Sequence, residues 1–216
     1  MYSPAWFREE RLEVLQGAVD AIGFGTLVTA GRSGIMASHI PMLIDRTRGT
    51  RGTLFGHVAR GNPQWRDSKP GEEGLAMFLG PDAYITPGWY RSRLETGRVV
   101  PTWNYVAVHV RGPVSFFEDQ QRLMDVVTKL TEHHEAYSKN PWRVTDAPAD
   151  YVAKELKSIV GFEMEITKIE GKWKLSQNRP QADRDGVRRG LVERGLPGDE
   201  EVSKEMDSRE GRSASA

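Results

Sequence analysis

The sequence contains no cysteine, which excludes disulfide staples, thiolate metal ligands and thiol nucleophiles. It also lacks net charge. Thirty Lys and Arg offset thirty Asp and Glu, so no overall field draws the chain toward nucleic acid or an acidic membrane surface. No apolar run approaches the roughly 20 residues needed to cross a bilayer, and Met1-Tyr2-Ser3-Pro4 has no basic-then-apolar leader pattern. These features predict a soluble cytoplasmic protein. The commonest phosphate loops are missing as well: no G-x-G-x-x-G follows a strand and no G-x-x-x-x-G-K-[ST] occurs. Gly31-Arg32-Ser33-Gly34 is too short for the G-x-S-x-G nucleophile elbow and fits a hairpin turn better. His133-His134-Glu135 is the densest group of metal-ligand types, yet neighbours on a helix point about 100° apart and cannot share one ion.

What is present is a chain of 216 residues, long enough to bury roughly 70% of its unfolded surface in a real core. Ser3-Pro4 predicts a helix start, and Leu12, Leu15, Val19 and Ile22 continue at helical spacing to Gly23. Strands are predicted over Gly25–Ala30, Ile35–Ile44, Thr53–Val58 and Leu75–Leu79, with a short helix after Asn62-Pro63 and a turn at Gly80-Pro81-Asp82. Tyr84-Ile85 and Val106–Val110 are further strand candidates across a long connection, which carries Pro101-Thr102-Trp103-Asn104-Tyr105 as a loop. Gly112-Pro113 is expected to break the strand that ends at Phe117. A helix from Glu118-Asp119 to about Tyr137, a shorter one at Tyr151–Leu156, and a hairpin of Phe162–Ile166 with Lys172–Leu175 complete the pattern. The expected organisation is one domain over 1–180, a polar helix at 181–196, and a charged, apolar-poor tail at 197–216 read as disordered.

Four stretches carry more polar chemistry than strands and turns require: Ser38-His39-Ile40-Pro41, Gly56-His57-Val58-Ala59-Arg60-Gly61-Asn62-Pro63, Thr102 to Tyr105, and Lys172 to Asn178. They supply cations, hydroxyls, amides and flat aromatics. That inventory suits a phosphate attached to a planar heterocycle, where charged donors hold the anion and apolar walls hold the ring.

With these motifs the chain resembles the PaiB-type FMN-binding negative transcriptional regulator family over about residues 1–195. The matching stretches include Gly25-Thr26-Leu27-Val28-Thr29, Ser38-His39-Ile40-Pro41, Gly56-His57-Val58-Ala59-Arg60, Pro101-Thr102-Trp103-Asn104-Tyr105 and Lys174-Leu175-Ser176-Gln177-Asn178. Gly61 departs from the pattern, where a small side chain such as Ala is expected. The resemblance implies a mainly β, α+β fold: a six-stranded antiparallel split β-barrel related to pyridoxamine-phosphate oxidases, working as a homodimer with FMN between subunits. It places Ser38, His57, Arg60, Asn62, Thr102, Trp103, Asn104, Lys174, Ser176 and Gln177 near the flavin, with Arg60 and Lys174 as phosphate or ring-edge donors.

Plainer roles stand beside these. Arg60 can snorkel over the barrel, Asn62 can cap a helix, Trp103 and Tyr105 can pack at a subunit interface, His57 can be structural, and Gln177 can cap its own hairpin. The resemblance implies a flavin-binding negative regulator or flavin sensor; a flavin-dependent oxidoreductase of small molecules is the alternative, and haem handling through His39, His57 or His109 a third. Direct DNA binding rests only on Arg184, Arg188, Arg189 and Arg194, in a segment that also carries acidic residues.

Overall fold

A computed structural model describes residues 1–213 and divides them into two compact units, each discontinuous in sequence. One takes residues 11–78 and 108–169; the other takes residues 1–10, 79–107 and those from 170 onward. In chain order the first elements are β1 (Arg8–Glu9), α1 (Leu12–Ile22), β2 (Phe24–Gly31), β3 (Gly34–Asp45), β4 (Thr53–Ala59), α2 (Gln64–Asp67) and β5 (Glu73–Ile85). They are followed by α3 (Ser92–Thr96), β6 (Thr102–Phe117), α4 (Gln120–Glu135), α5 (Ala149–Leu156), β7 (Ile159–Glu165), β8 (Lys168–Lys174), α6 (Gln181–Arg194) and α7 (Asp199–Ser213).

The first unit is a barrel. β2 pairs antiparallel with β3 from Phe24↔Pro41 to Gly31↔Gly34, β3 with β4 from Met42↔Gly56 to Asp45↔Thr53, and β4 with β7 from Thr53↔Glu165 to Ala59↔Ile159. β7 continues onto β6 from Val114↔Met164 to Phe117↔Gly161, while β2 holds β5 over Thr26↔Met77 to Val28↔Leu75. Since β5 and β6 are also neighbours, six of the sheet's eight strands close on themselves, and β1 and β8 are additional to the six expected. Closure depends on β3 changing partners at Pro41 and Met42, from β2 to β4. Gly56 sits at that corner: a Cβ there would lie 2.7 Å from the Pro41 carbonyl oxygen and 2.8 Å from the Phe162 ring. The alternating inward residues form the core, among them Leu27, Met42, Leu54, Phe78, Val108, Phe162 and Met164. Amphipathic α4, capped by Asp119 accepting from Arg122 N at 2.9 Å, lays Val126 and Leu130 against Leu43 and Phe55.

The second unit is built on β1, β8 and the remaining lengths of β5 and β6. β1 pairs with β8 through Arg8↔Lys172 and Glu9↔Gly171, and β8 neighbours β6. Its core gathers Ile85, Val106, Trp173, Leu175, Val187, Leu191, Val202 and Met206.

Several expectations are corrected. The first helix starts at Leu12; Ala5–Phe7 form only one 3-10 turn before the short strand β1. Gly80-Pro81-Asp82 is not a turn but lies within β5, because β2 pairs with β5 only at Leu75–Met77 and demands no backbone donor from Pro81. Gly112-Pro113 does not break β6 either; a Cβ at Gly112 would lie 1.9 Å from the Glu165 carbonyl oxygen, so Gly permits the close approach of β7. Thr102–Tyr105 begin β6 instead of forming a loop. The largest correction concerns the tail, which in the described part is the helix α7. Its turn is held by a nearly buried Asp199, whose carboxylate accepts from Arg194 Nε at 2.8 Å and from Leu196 N at 2.9 Å. Val202 and Met206, four residues apart, then face inward together.

Candidate functional site

Each unit carries one of two clusters into which the expected site residues fall. In the barrel unit, β3 presents Ser38, whose Oγ donates to Gln64 Oε1 at 2.6 Å and accepts from Asn62 Nδ2 at 2.7 Å. Asn62 Oδ1 in turn accepts from Gln64 N at 2.9 Å, tying down the start of α2. Gln64, absent from the expected set, is the completely buried centre: its Nε2 donates to Leu27 O and Thr29 Oγ1, both at 3.1 Å. Only its place just after Asn62-Pro63 could have signalled it. A Cβ at Gly61 would meet nothing, so the departure from the family pattern leaves this loop intact.

His57, on β4, has a buried Nδ1 with no hydrogen-bond partner among the described residues. Burial holds its imidazole below the ordinary histidine range, so the ring is neutral at physiological pH. His39 is different: it is exposed and shares a hydrogen bond with Thr26 Oγ1 at 2.8 Å. Arg60 is committed elsewhere than expected. Its guanidinium pairs with Glu118 and donates to the Lys157 and Ile159 carbonyls, fastening the turn after β4 to the strand entering the barrel at β7. The position expected to offer a free phosphate donor instead ends in an ion pair.

The second cluster joins β6 to the end of β8. Lys174 Nζ donates to Thr102 Oγ1 and to the Trp103 carbonyl. Ser176 Oγ donates to Asn104 Oδ1 at 3.1 Å, and both side chains are buried. Ser176 has φ 65°, a left-handed conformation unusual for a residue with a Cβ, where the chain turns back after β8. Gln177 does what its plain reading proposed: Oε1 accepts from Leu175 N at 2.7 Å and Nε2 donates to Trp173 O at 2.6 Å, closing its own turn. Trp103 is 52% exposed and meets Tyr84 edge-on, with ring centres 5.9 Å apart.

Lys174 has company that the expected set omitted. Desolvation lowers its ammonium below the ordinary lysine range, and the positive charges of Lys172 and Arg179 lower it further. Lys172 lies 5.3 Å from the centre of the Tyr105 ring and Arg179 lies 4.7 Å from that of Tyr90. None of these three cations has a carboxylate partner among the described residues. Lys172 and Arg179 flank the Lys174–Gln177 stretch, and that flanking was the available signal. Three cations without carboxylate partners beside hydroxyls and tyrosine rings have the chemistry an anion with a flat apolar body requires. This donor set fits a phosphate on an aromatic body; among the described residues no group of three or more His, Asp or Glu is arranged to hold a metal ion.

The family described as "Putative FMN-binding domain" matches residues 1–168. The chain is 35% identical over 209 residues to protease synthase and sporulation protein PAI 2 of Bacillus subtilis, covering 97% of this chain and 98% of the relative. It is 34% identical to an uncharacterized protein, AN0679, of Emericella nidulans, covering 88% of this chain and 90% of that one. Among solved structures, the flavocytochrome Anf3 from Azotobacter vinelandii aligns with TM-score 0.58 at 10% identity over 78% of this chain and 69% of its own. An FAD and heme binding protein from Mycobacterium smegmatis aligns with TM-score 0.57 at 16% identity, covering 77% and 73%. At such identities these two structures bear on the fold alone.

Proposed function

Because the chain belongs to the FMN-binding domain family, we propose that it is an FMN-holding regulatory protein that takes the cofactor's phosphate on Lys172, Lys174 and Arg179. The observation that carries this reading is the trio of cations without carboxylates. A phosphate would neutralise them and raise the Lys174 ammonium back toward the ordinary lysine range. Thr102, Asn104 and Ser176 belong to the same cluster; Ser38, Asn62 and the orphaned Nδ1 of His57 belong to the separate cluster of the barrel unit. Bound FMN supplies a ring that accepts and returns electrons. Arg60 has no part in phosphate binding on this reading, since its guanidinium is already engaged.

We also propose a homodimer. The outward face of β2 and β3 pairs Phe24 with Pro41, Val28 with Ala37 and Ala30 with Ile35, and Phe24 and Ile35 are 60% and 82% exposed. A second copy would cover such a patch. The regulatory role draws on the Bacillus relative, whose name links it to protease synthesis and sporulation. Direct DNA binding gains little from α6, because Arg188 pairs with Asp185 and Asp207, and Arg194 with Asp199.

The decisive experiment compares FMN with riboflavin by quenching of flavin fluorescence. The phosphate site requires a clear preference for FMN, and Lys174→Gln should reduce that preference about tenfold or more, since a charge-assisted hydrogen bond contributes roughly 1.5–3 kcal/mol. Equal affinity for both flavins in the unaltered protein overturns the assignment. Oxidation of a nicotinamide donor by the loaded protein, with a small acceptor turning over, would replace the regulatory reading with an oxidoreductase.

A further inference from the structure

Among the described residues Ser176 is the one residue other than glycine with a positive φ, and it is buried. A side chain in the left-handed region is strained, whereas glycine would take φ 65° freely. The turn that Ser176 makes lies between two of the three cations, with Lys174 two residues before it and Arg179 three residues after. The backbone is closed on both sides of it. Gln177 Oε1 accepts from Leu175 N at 2.7 Å, and Arg179 N donates to Ser176 O at 3.0 Å. An extended Ser176 would carry Arg179 away from Lys174; the observed turn leaves the two charges close enough for Arg179 to help lower the Lys174 ammonium.

What holds Ser176 in this conformation comes from outside the turn. Its Oγ donates to Asn104 Oδ1 at 3.1 Å, and Asn104, completely buried on β6, donates from Nδ2 to the Met206 sulfur at 3.7 Å. Met206 is itself buried on α7. The Asn104 amide therefore joins the strained turn to the C-terminal helix, and all of these residues lie in the second unit. A buried amide that loses one of these partners keeps an unsatisfied polar group in the core, so the two bonds depend on each other.

We propose that Ser176 is the hinge that brings Lys174 and Arg179 together around a phosphate, and that Asn104 and Met206 are positioning residues that keep it left-handed. This rests on the reading that Lys172, Lys174 and Arg179 take the FMN phosphate. Without the Asn104 bond the turn relaxes toward negative φ, and binding of the phosphate must restore the strained geometry. Riboflavin has no phosphate and is indifferent to the turn. The same link works in the other direction: a docked α7 favours FMN, and bound FMN favours a docked α7.

The test is the preference for FMN over riboflavin, read by flavin fluorescence in the full-length protein and three variants. Ser176→Ala and Ser176→Gly both lose the hydroxyl, so a difference between them reports the backbone alone. The glycine variant should hold a preference about fivefold or more above that of the alanine variant, the strain of one left-handed residue. Met206→Leu keeps the volume and removes the sulfur acceptor; it should lower the preference about twofold or more, and have no further effect on top of Ser176→Gly. Equal preferences in Ser176→Ala and Ser176→Gly, or a parental preference in Met206→Leu, overturn the proposal whatever happens to Tm, since a purely structural role moves Tm alone. Equal binding of FMN and riboflavin by the unaltered protein overturns the phosphate reading and this inference with it, whereas a parental preference that no variant changes overturns this inference alone.

Discussion

Met206→Ala separates a docked C-terminal helix from a solvated one. Met206 is buried in the second unit, and Asn104, completely buried, directs Nδ2 to its sulfur at 3.7 Å. The substitution removes three heavy atoms from the core, which at about 0.8 kcal/mol per methylene-sized group costs roughly 2.4 kcal/mol in transfer alone. The residual cavity and an amide proton that loses its weak acceptor bring the total to about 3–5 kcal/mol. Alanine returns only a few tenths of a kcal/mol in helix propensity, so the sign is not in doubt. For a chain of this size each kcal/mol shifts Tm by about 2–4 °C, giving a drop of roughly 6–20 °C. Circular dichroism melts at 222 nm provide the assay. Glu200→Ala on the same helix breaks only an exposed pair with Lys204 and should stay within about 0.5 kcal/mol. A Met206→Ala protein that melts within about 2 °C of the parent would mean that α7 does not pack where the structure puts it.

Glycine replacements should split by site. Gly17→Ala in α1 meets nothing within 4 Å and should stabilise by about 0.5–1 kcal/mol. In contrast, Gly186→Ala in α6 would bring its Cβ within 2.0 Å of the Trp89 carbonyl oxygen and should cost about 1–3 kcal/mol in denaturant melts, reversing the usual helix preference. The same measurement should show Gln64→Leu destabilising by about 1–3 kcal/mol, because Ser38 and Thr29 lose a buried partner. His57 makes stability depend on pH. Its folded-state value is depressed below 6.5, so between that lowered value and 6.5 the unfolded chain binds the extra proton and stability falls as pH falls. His57→Gln should flatten this part of the urea-midpoint profile; an unchanged slope would assign the dependence to other groups.

Much of the barrel was legible because its residues obey a two-residue period. Phe162, Met164 and Ile166 alternate with Glu163, Glu165 and Thr167, and the structure buries the first set. What the sequence concealed depends on partners distant in the chain. Pro81 resembles a turn residue until the short reach of β2 along β5 is known, and Gly112 until β7 is seen passing over it. α7 was missed because its charged composition outweighs Val202 and Met206, whose four-residue spacing was the only local trace of a buried face. The site was legible by type more than by role. The cations and hydroxyls were identified as a set, but nothing local to Arg60 revealed that Glu118 would claim it, and nothing local to Lys174 revealed that it would have no acid beside it.

The interleaving of the two units has a consequence for biogenesis. The second unit needs Arg8 and Glu9 from the beginning of the chain and Lys172 and Gly171 from near its end. During translation its first strand must therefore wait, unpaired, while the ribosome makes the entire barrel. Synthesis of β8 and the turn after it, later than every strand of the barrel, is the event that allows the cation cluster to assemble. Premature termination anywhere before β8 would yield a product with a closed barrel or part of one, lacking Lys172, Lys174 and Arg179 altogether.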